Sequence, residues 1–208
     1  EANSAGALLF EIWLSSHLRP ALLARVAPDE TLRAMLVPGD IVSVVRLLEG
    51  LHPGLSQKAG LEDQDAVLAT TLTSAWDDAC ARFGNDPQTW AWGALHKGWF
   101  SHPLGAVQPN LNVGPFDKGG SSTSLMLAHY DAADYRVRVG ASVRMVVDVG
   151  AWDNSVWINA PGQSGLPDSR HHSDLAPLWA RGKYVPMLYS DDAVDAATVE
   201  TITLVPAD

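Results

Sequence analysis

A single cysteine, Cys80, in 208 residues rules out an internal disulfide. It falls in a helical apolar pattern, where a small buried thiol is the ordinary occupant. Basic residues are scarce as well: 14 Lys and Arg stand against 24 Asp and Glu, a net charge of −10 with no basic cluster to offset it. A nucleic acid would meet net repulsion, so no nucleic-acid partner is expected. No apolar run approaches the ~20 residues that cross a bilayer, and no charged start leads into an apolar secretory region, so no membrane partner is expected. What the chain has in quantity is apolar content, 47%, enough for a core, together with eight tryptophans.

The pattern changes near the middle of the chain. From Asn3 to Phe83 it is helical, beginning with Leu8, Ile12, Ser15/Ser16 and Leu18 on one stripe that Pro20 is expected to limit. A short helix starts around Asp29, and Pro38-Gly39 separates it from Ile41–Leu48. Gly50–Gly60 reads as a connection. Over Asp63–Phe83 two adjacent rows, Leu68/Leu72/Trp76/Cys80 and Val67/Thr71/Ala75/Ala79/Phe83, are broad enough to predict deep burial. Asp86-Pro87 signals a short helix that brings Trp90 and Trp92 inward. After Ser101 strands are predicted at Ser124–Tyr130, Tyr135–Val139, Ser142–Val149, Ser155–Asn159 and Thr198–Val205, with short helices at Leu175–Ala180 and Asp191–Ala196. Gly114–Ser124 has too little periodicity to join them. No linker separates the halves, so one α+β unit over residues 1–208 is expected, helical over 1–100 and mainly strands and loops over 101–208.

The most telling run is Gly140–Gly165, in which Val143, Met145, Val147 and Val149 alternate with Ser142, Arg144 and Asp148 as a strand with one buried face. Pro161-Gly162-Gln163-Ser164-Gly165 ends it in a turn. This run resembles the end of the β subunit of the penicillin acylase family, which are N-terminal-nucleophile amide hydrolases. The likeness extends to Trp90-Ala-Trp92-Gly93 with His96, to His102-Pro103-Leu104-Gly105, to Ala180–Ser190 and to the opening Asn3–Phe10, and it spans most of Trp76 to Pro206. It implies a four-layer αββα sandwich completed by strands from upstream sequence. It also implies a Ser, Cys or Thr at a chain terminus whose own amine accepts the proton during attack on an amide. Glu1 offers no hydroxyl or thiol, so this chain is expected to be inactive alone, with the nucleophile and the oxyanion-binding asparagine upstream. The partners implied are the remaining N-terminal part of the β subunit, the α subunit of the same precursor and a small-molecule amide. Substrates of that kind include β-lactam side-chain amides, N-acyl homoserine lactones and acylated lipopeptides. Family likeness implies a periplasmic or secreted precursor. Calcium is held by some members, but no position here maps to its ligands, and no cofactor is expected in this chain.

Other chemistry can be written from the residues alone. Ser164 lies between glycines with His171, His172 and Asp174 close behind, so a self-contained serine hydrolase is an alternative, as is a ligand-binding module that stacks exposed tryptophans. The simpler expectation for Gln163-Ser164 is a turn that satisfies backbone groups. His96/His102 and His171/His172 are the nearest histidine pairs for a metal, but their spacing suits no helical zinc site. Asp148 either pairs with Arg144 on its strand face or orients active-site groups without touching substrate. Asp153-Asn154 is expected to form an Asx turn. Trp76, Trp90, Trp92, Trp99 and Trp152 either fill the core or line an acyl pocket.

Overall fold

A computed structural model describes residues 1–35, 41–49 and 64–206. Pro38-Gly39, Gly50–Gly60 and Asp63 lie outside the described residues. The chain divides into two compact units, Glu1–Trp99 with Pro115–Gly140, and Phe100–Gly114 with Ala141–Asp208. Helices fill the first half and most strands follow, so the α+β expectation holds. No helix among the described residues is long and apolar enough to cross a membrane.

The first unit starts with α1 (Ala5–Ile12), capped by Ser4, whose hydroxyl accepts from the Ala7 N–H at 3.1 Å. The helix does not stop at Pro20. A π-helical segment, Trp13–Leu18, leads straight into α2 (Arg19–Val26), where Pro20 stands in the first turn. A proline is tolerated there because its missing N–H belongs to a turn whose donors lack ordinary partners. α3 (Glu30–Met35) follows Asp29, whose carboxylate accepts from the Leu32 N–H at 2.8 Å, and α4 spans Ile41–Leu48.

The long helix α5 (Gln64–Phe83) buries only one of its two predicted rows. Val67, Thr71, Ala75 and Ala79 are buried, whereas Leu72 and Trp76 are 42% and 41% exposed. The residues inside are small because α1 and the π segment approach closely: Leu8 and Ile12 pack with Ala75 and Ala79, and Leu14, Leu18 and Leu22 with Val67 and Val44. Thr71 is buried at no hydrogen-bonding cost, since its hydroxyl accepts from the Trp13 indole at 2.9 Å and donates to the Val67 carbonyl at 2.8 Å.

Asp86 caps a 3-10 turn over Pro87–Thr89, and α6 (Trp92–Leu95) follows, with Trp90 and Trp92 both buried as the sequence predicts. Two strands appear where none was predicted, β1 (Lys97–Phe100) and β2 (Val113–Asp117), which form a two-stranded ribbon. Gly114 and Pro115 break the alternation in β2 and hide it from a periodicity test. β3 is confined to Ala128–Tyr130 and pairs antiparallel with β4 (Val137–Gly140). Tyr135 cannot start β4, since its φ of 55° is left-handed. It is held there by near-complete burial and by a hydroxyl contact with Ser16.

In the second unit β5 (Val143–Val146), β6 (Val156–Asn159) and β7 (Val185–Pro186) form an antiparallel sheet in the order β5-β6-β7. The predicted buried face of β5 is the open one: Val143 is 48% and Met145 57% exposed. Register explains the reversal. Arg144 sits opposite Ile158, which is fully buried, so Arg144 takes the inner face and its neighbours the outer. There Arg144 donates to the Trp179 carbonyl and lies 5.7 Å from the ring centres of Trp179 and Tyr184. Trp179 belongs to α7 (Ala176–Ala180), and its indole donates to the Ala141 carbonyl at 2.8 Å. The α8 helix (Asp191–Ala197) is capped by Ser190. The predicted strand Thr198–Val205 is not formed: these residues are exposed and unpaired with any described strand.

In the first unit the Tyr130 hydroxyl donates to the buried Glu11 carboxylate at 2.7 Å. Burial first, and the Glu11 charge second, push the phenol well above its ordinary range, so it stays a donor. Tyr130→Phe removes that donor from a buried carboxylate and should cost about 2 kcal/mol in urea unfolding.

Candidate functional site

The sequence motifs fall into two groups. Trp90, Trp92, Gly93 and His96 build the interior of the first unit. The Trp92 indole donates to the Gly120 carbonyl at 2.8 Å, and its ring stacks on His96 with centroids 4.5 Å apart and planes 8° from parallel. His96 is fully buried, with Nδ1 2.6 Å from the Lys118 carbonyl and Nε2 3.3 Å from that of Ala128. Burial lowers its proton affinity more than these carbonyls raise it, so the ring is neutral and the shorter contact marks Nδ1 as the donor. Gly93 is required by packing: a Cβ there would lie 2.8 Å from the Asp117 Cβ and 3.1 Å from that of Ala2.

His102, Gly162, Gln163, Ser164 and Gly165 meet in the second unit around a cavity of about 480 Å³. Asn112 holds the His102 turn in place, accepting from the His102 N–H at 2.9 Å and donating to the Gly105 carbonyl at 3.1 Å. Gly105 leaves room for that amide, which a Cβ would strike. His102 Nδ1 accepts from the Leu104 N–H at 3.1 Å across Pro103 and therefore carries its proton on Nε2. On the other side the N–H groups of Gln163 and Ser164 both donate to the His171 carbonyl, at 2.8 and 3.0 Å. A Cβ at Gly162 would collide with that same carbonyl oxygen. Phe100, Leu111, Val113 and Pro161 supply apolar wall. No sequence signal marked them, because alternating or loop apolar residues look alike whether they face a core or a cavity.

The Ser164–His–Asp174 arrangement is not assembled. The Ser164 hydroxyl accepts from the Leu166 N–H at 3.1 Å, and His172 Nδ1 lies 3.2 Å from the Ser164 carbonyl rather than from its hydroxyl. His171 pairs with Asp174 at 2.7 Å while its Nε2 accepts from Arg170 at 2.9 Å, which puts the imidazole proton on Nδ1. Both turn N–H groups are already engaged and cannot serve an oxyanion. His172 Nε2 is buried and without a partner among the described residues, an open acceptor in a residue that lines the cavity.

Asp148 lies beyond β5 and is exposed. It does not pair with Arg144. Its Oδ1 accepts from the N–H groups of Gly150 and Ala151, at 3.0 and 3.1 Å, and closes its own turn. Asp153, expected in an Asx turn, instead reaches across the chain to the N–H groups of Tyr189 and Ser190 at 2.7 and 2.9 Å. Cys80 is half-buried against the interior of the first unit. Among the described residues no three His, Cys, Asp or Glu side chains gather as a metal-binding group. Trp76 and Trp152 are 41% and 47% exposed, and neither of the two cavities described for the units is lined by tryptophan.

The penicillin amidase family model matches residues 1–196. The chain belongs to the penicillin amidase family. An acyl-homoserine lactone acylase QuiP of Pseudomonas aeruginosa is 31% identical over 163 residues, covering 70% of this chain and 19% of the relative. A penicillin acylase 2 proenzyme of a Pseudomonas species is 39% identical over 148 residues, covering 69% and 18%. Among solved structures, the thermostable penicillin G acylase of Alcaligenes faecalis aligns with 99% of this chain and 39% of its own, at 16% identity and a TM-score of 0.43. The chain thus spans about a fifth of the length of these curated relatives.

The Ser190 hydroxyl, and then the N–H groups of Ser190 and Tyr189, hold the Asp153 carboxyl below its ordinary range. A depressed carboxyl stabilises the fold above its unfolded value, near ~3.9, and loses that contribution as pH falls through the folded value. Asp153→Asn should therefore lower the melting temperature at neutral pH, with the gap to the parent protein closing in acid.

Proposed function

We propose that this chain is the C-terminal scaffold portion of an amide hydrolase that removes an acyl group from an amine-bearing nucleus. The nucleophile is a terminal serine on polypeptide outside the chain. Family membership supports the reaction class, and the names of the relatives point to β-lactam or acyl-homoserine lactone nuclei. In that enzyme the serine attacks the amide carbonyl, its own amine carries the proton to the leaving amine, and backbone and amide donors hold the oxyanion. The chain serves as one α+β portion of a four-layer sandwich, joined to the rest of the β subunit and to the α subunit.

The observation that carries this reading is the outer face of β5. Val143 and Met145 stand open on a strand with a sheet neighbour on one side only, although their alternation is that of a buried face. An apolar face on an edge strand is a surface that folded proteins cover. Further polypeptide of a longer enzyme would cover it. The engagement of the Ser164 hydroxyl and of both neighbouring N–H groups weighs against the self-contained hydrolase. Burial of Trp90 and Trp92 weighs against an aromatic stacking surface built on that motif.

The test follows amine release from a penicillin and from an N-acyl homoserine lactone. The chain alone should give none and should not be labelled at Ser164 by a fluorophosphonate, while co-expression with the remaining precursor should restore turnover. Met145→Asp should leave the isolated chain's stability within about 0.5 kcal/mol but abolish co-purification with the remaining precursor. Enzyme-like turnover by the chain alone would refute the proposal.

A further inference from the structure

Beyond α8 the second unit carries a strand sequence that meets no strand. In Thr198-Val-Glu-Thr-Ile-Thr-Leu-Val205 every residue but Glu200 and Leu204 is β-branched, the side-chain type that pleated sheets favour. Thr198 is the last residue tied down: its N–H donates to the Asp195 carbonyl at 3.3 Å and its hydroxyl to that of Val194 at 2.8 Å. Over residues 199–205 no backbone or side-chain group has a hydrogen-bond partner among the described residues. Val199 is 101%, Ile202 76%, Leu204 90% and Val205 79% exposed. A row of unpaired main-chain groups with apolar side chains attached is a template for pairing with another strand. Pro206, which has no N–H to give, bounds it.

Length and faces decide what kind of edge would receive it. As a strand, the segment puts Val199, Thr201, Thr203 and Val205 on one face and Glu200, Ile202 and Leu204 on the other. Past Glu200 both faces are apolar or β-branched, the pattern of a strand covered on its two sides, while Glu200 keeps the near end at a rim. No edge in this chain is long enough: among the described strands the longest, β2, has five residues, and β5, an edge strand of the same unit, has four. Pairing on β5, of its own or of a second copy, would leave nearly half of the segment unpaired. Two copies of the segment would match in length, but a lone two-stranded ribbon is marginal in water and covers neither face. The edge that fits lies on other polypeptide, and the chain spans about a fifth of the length of its curated relatives.

We infer that residues 199–205 are an interaction strand, which on assembly adds by main-chain pairing to a long free sheet edge of the remaining precursor. This rests on the function proposed above, but it uses neither the β5 face nor the motif cavity. Amide hydrogen exchange is followed in the chain alone and in the assembly obtained by co-expression with the remaining precursor. Amides of residues 199–205 should exchange at unstructured rates in the chain alone, and at least every second one should slow by roughly a hundredfold in the assembly. Adjacent N–H groups of a strand point to opposite sides and proline removes one of them, so Ile202→Pro and Thr203→Pro are compared. One of the two should weaken assembly about tenfold or more, Thr203→Val should assemble as the parent does, and all three should keep the melting temperature of the isolated chain. An assembly that turns over its amide substrate with residues 199–205 still in fast exchange would overturn the strand and leave the acylase reading standing, as would two proline variants that both assemble normally. Slow exchange in the chain alone, with a lowered melting temperature in the proline variants, would overturn it too, since the segment would then belong to its own unit. Failure to obtain any assembly or turnover would refute the acylase reading and the strand together.

Discussion

A buried indole must find an acceptor for its single N–H, and the first unit is arranged around the one that Trp92 finds in the Gly120 carbonyl. Gly120 can present that carbonyl because its φ of 84° and its approach to the Met126 backbone exclude any side chain. With the indole fixed, His96 stacks on one face and the rings of Tyr130 and Tyr135 meet it edge-on at 5.4 and 5.9 Å. The two tyrosines reach back to Glu11 and Ser16, which ties β3 and the turn before β4 to the first helical rod. Gly93 lets Ala2 and Asp117 close over the far side. What reads in sequence as a tryptophan-glycine motif is the point where one indole organises helix, turn and strand together.

Much of this was legible from residue order and some of it was not. The cap at Asp86 acts locally and leaves a clear signature, and the apolar spacing of Gln64–Phe83 announces a helix. Which row of that helix is buried depends on how closely its partners approach, so the small residues went inside and Leu72 and Trp76 stayed out. The same limit governs β5. Alternation reveals a strand and its two faces, but the register with Ile158 decides that the face carrying Arg144 turns inward. The Gly162–Gly165 turn and His102 were singled out from sequence as family-like pieces, and both came to line one cavity. Its apolar walls and the open nitrogen of His172 carry no pattern in a linear chain.

Chemically, the motif cavity holds groups that are mostly satisfied. Histidine tautomers are set by local hydrogen bonds: the Leu104 N–H donates to His102, Arg170 donates to His171, and the Ser164 carbonyl accepts from His172. Such settled hydrogen bonding suits a wall that keeps its shape better than a centre that shuttles protons. The exposed apolar strand on the same unit fits the function proposed above, in which shape is supplied here and the bond-breaking groups are supplied by other polypeptide.

The wide π turn at Trp13–Leu18 separates two apolar stripes on one continuous rod, Leu8 and Ile12 before it and Leu14, Leu18 and Leu22 largely within and after it, and both find the same long helix. Such a turn amounts to one residue more than a regular helix would hold. Loss of a single codon anywhere in that stretch would let the rod wind regularly, swing one stripe away from its seat, and set the two halves of the helical core in competition for α5.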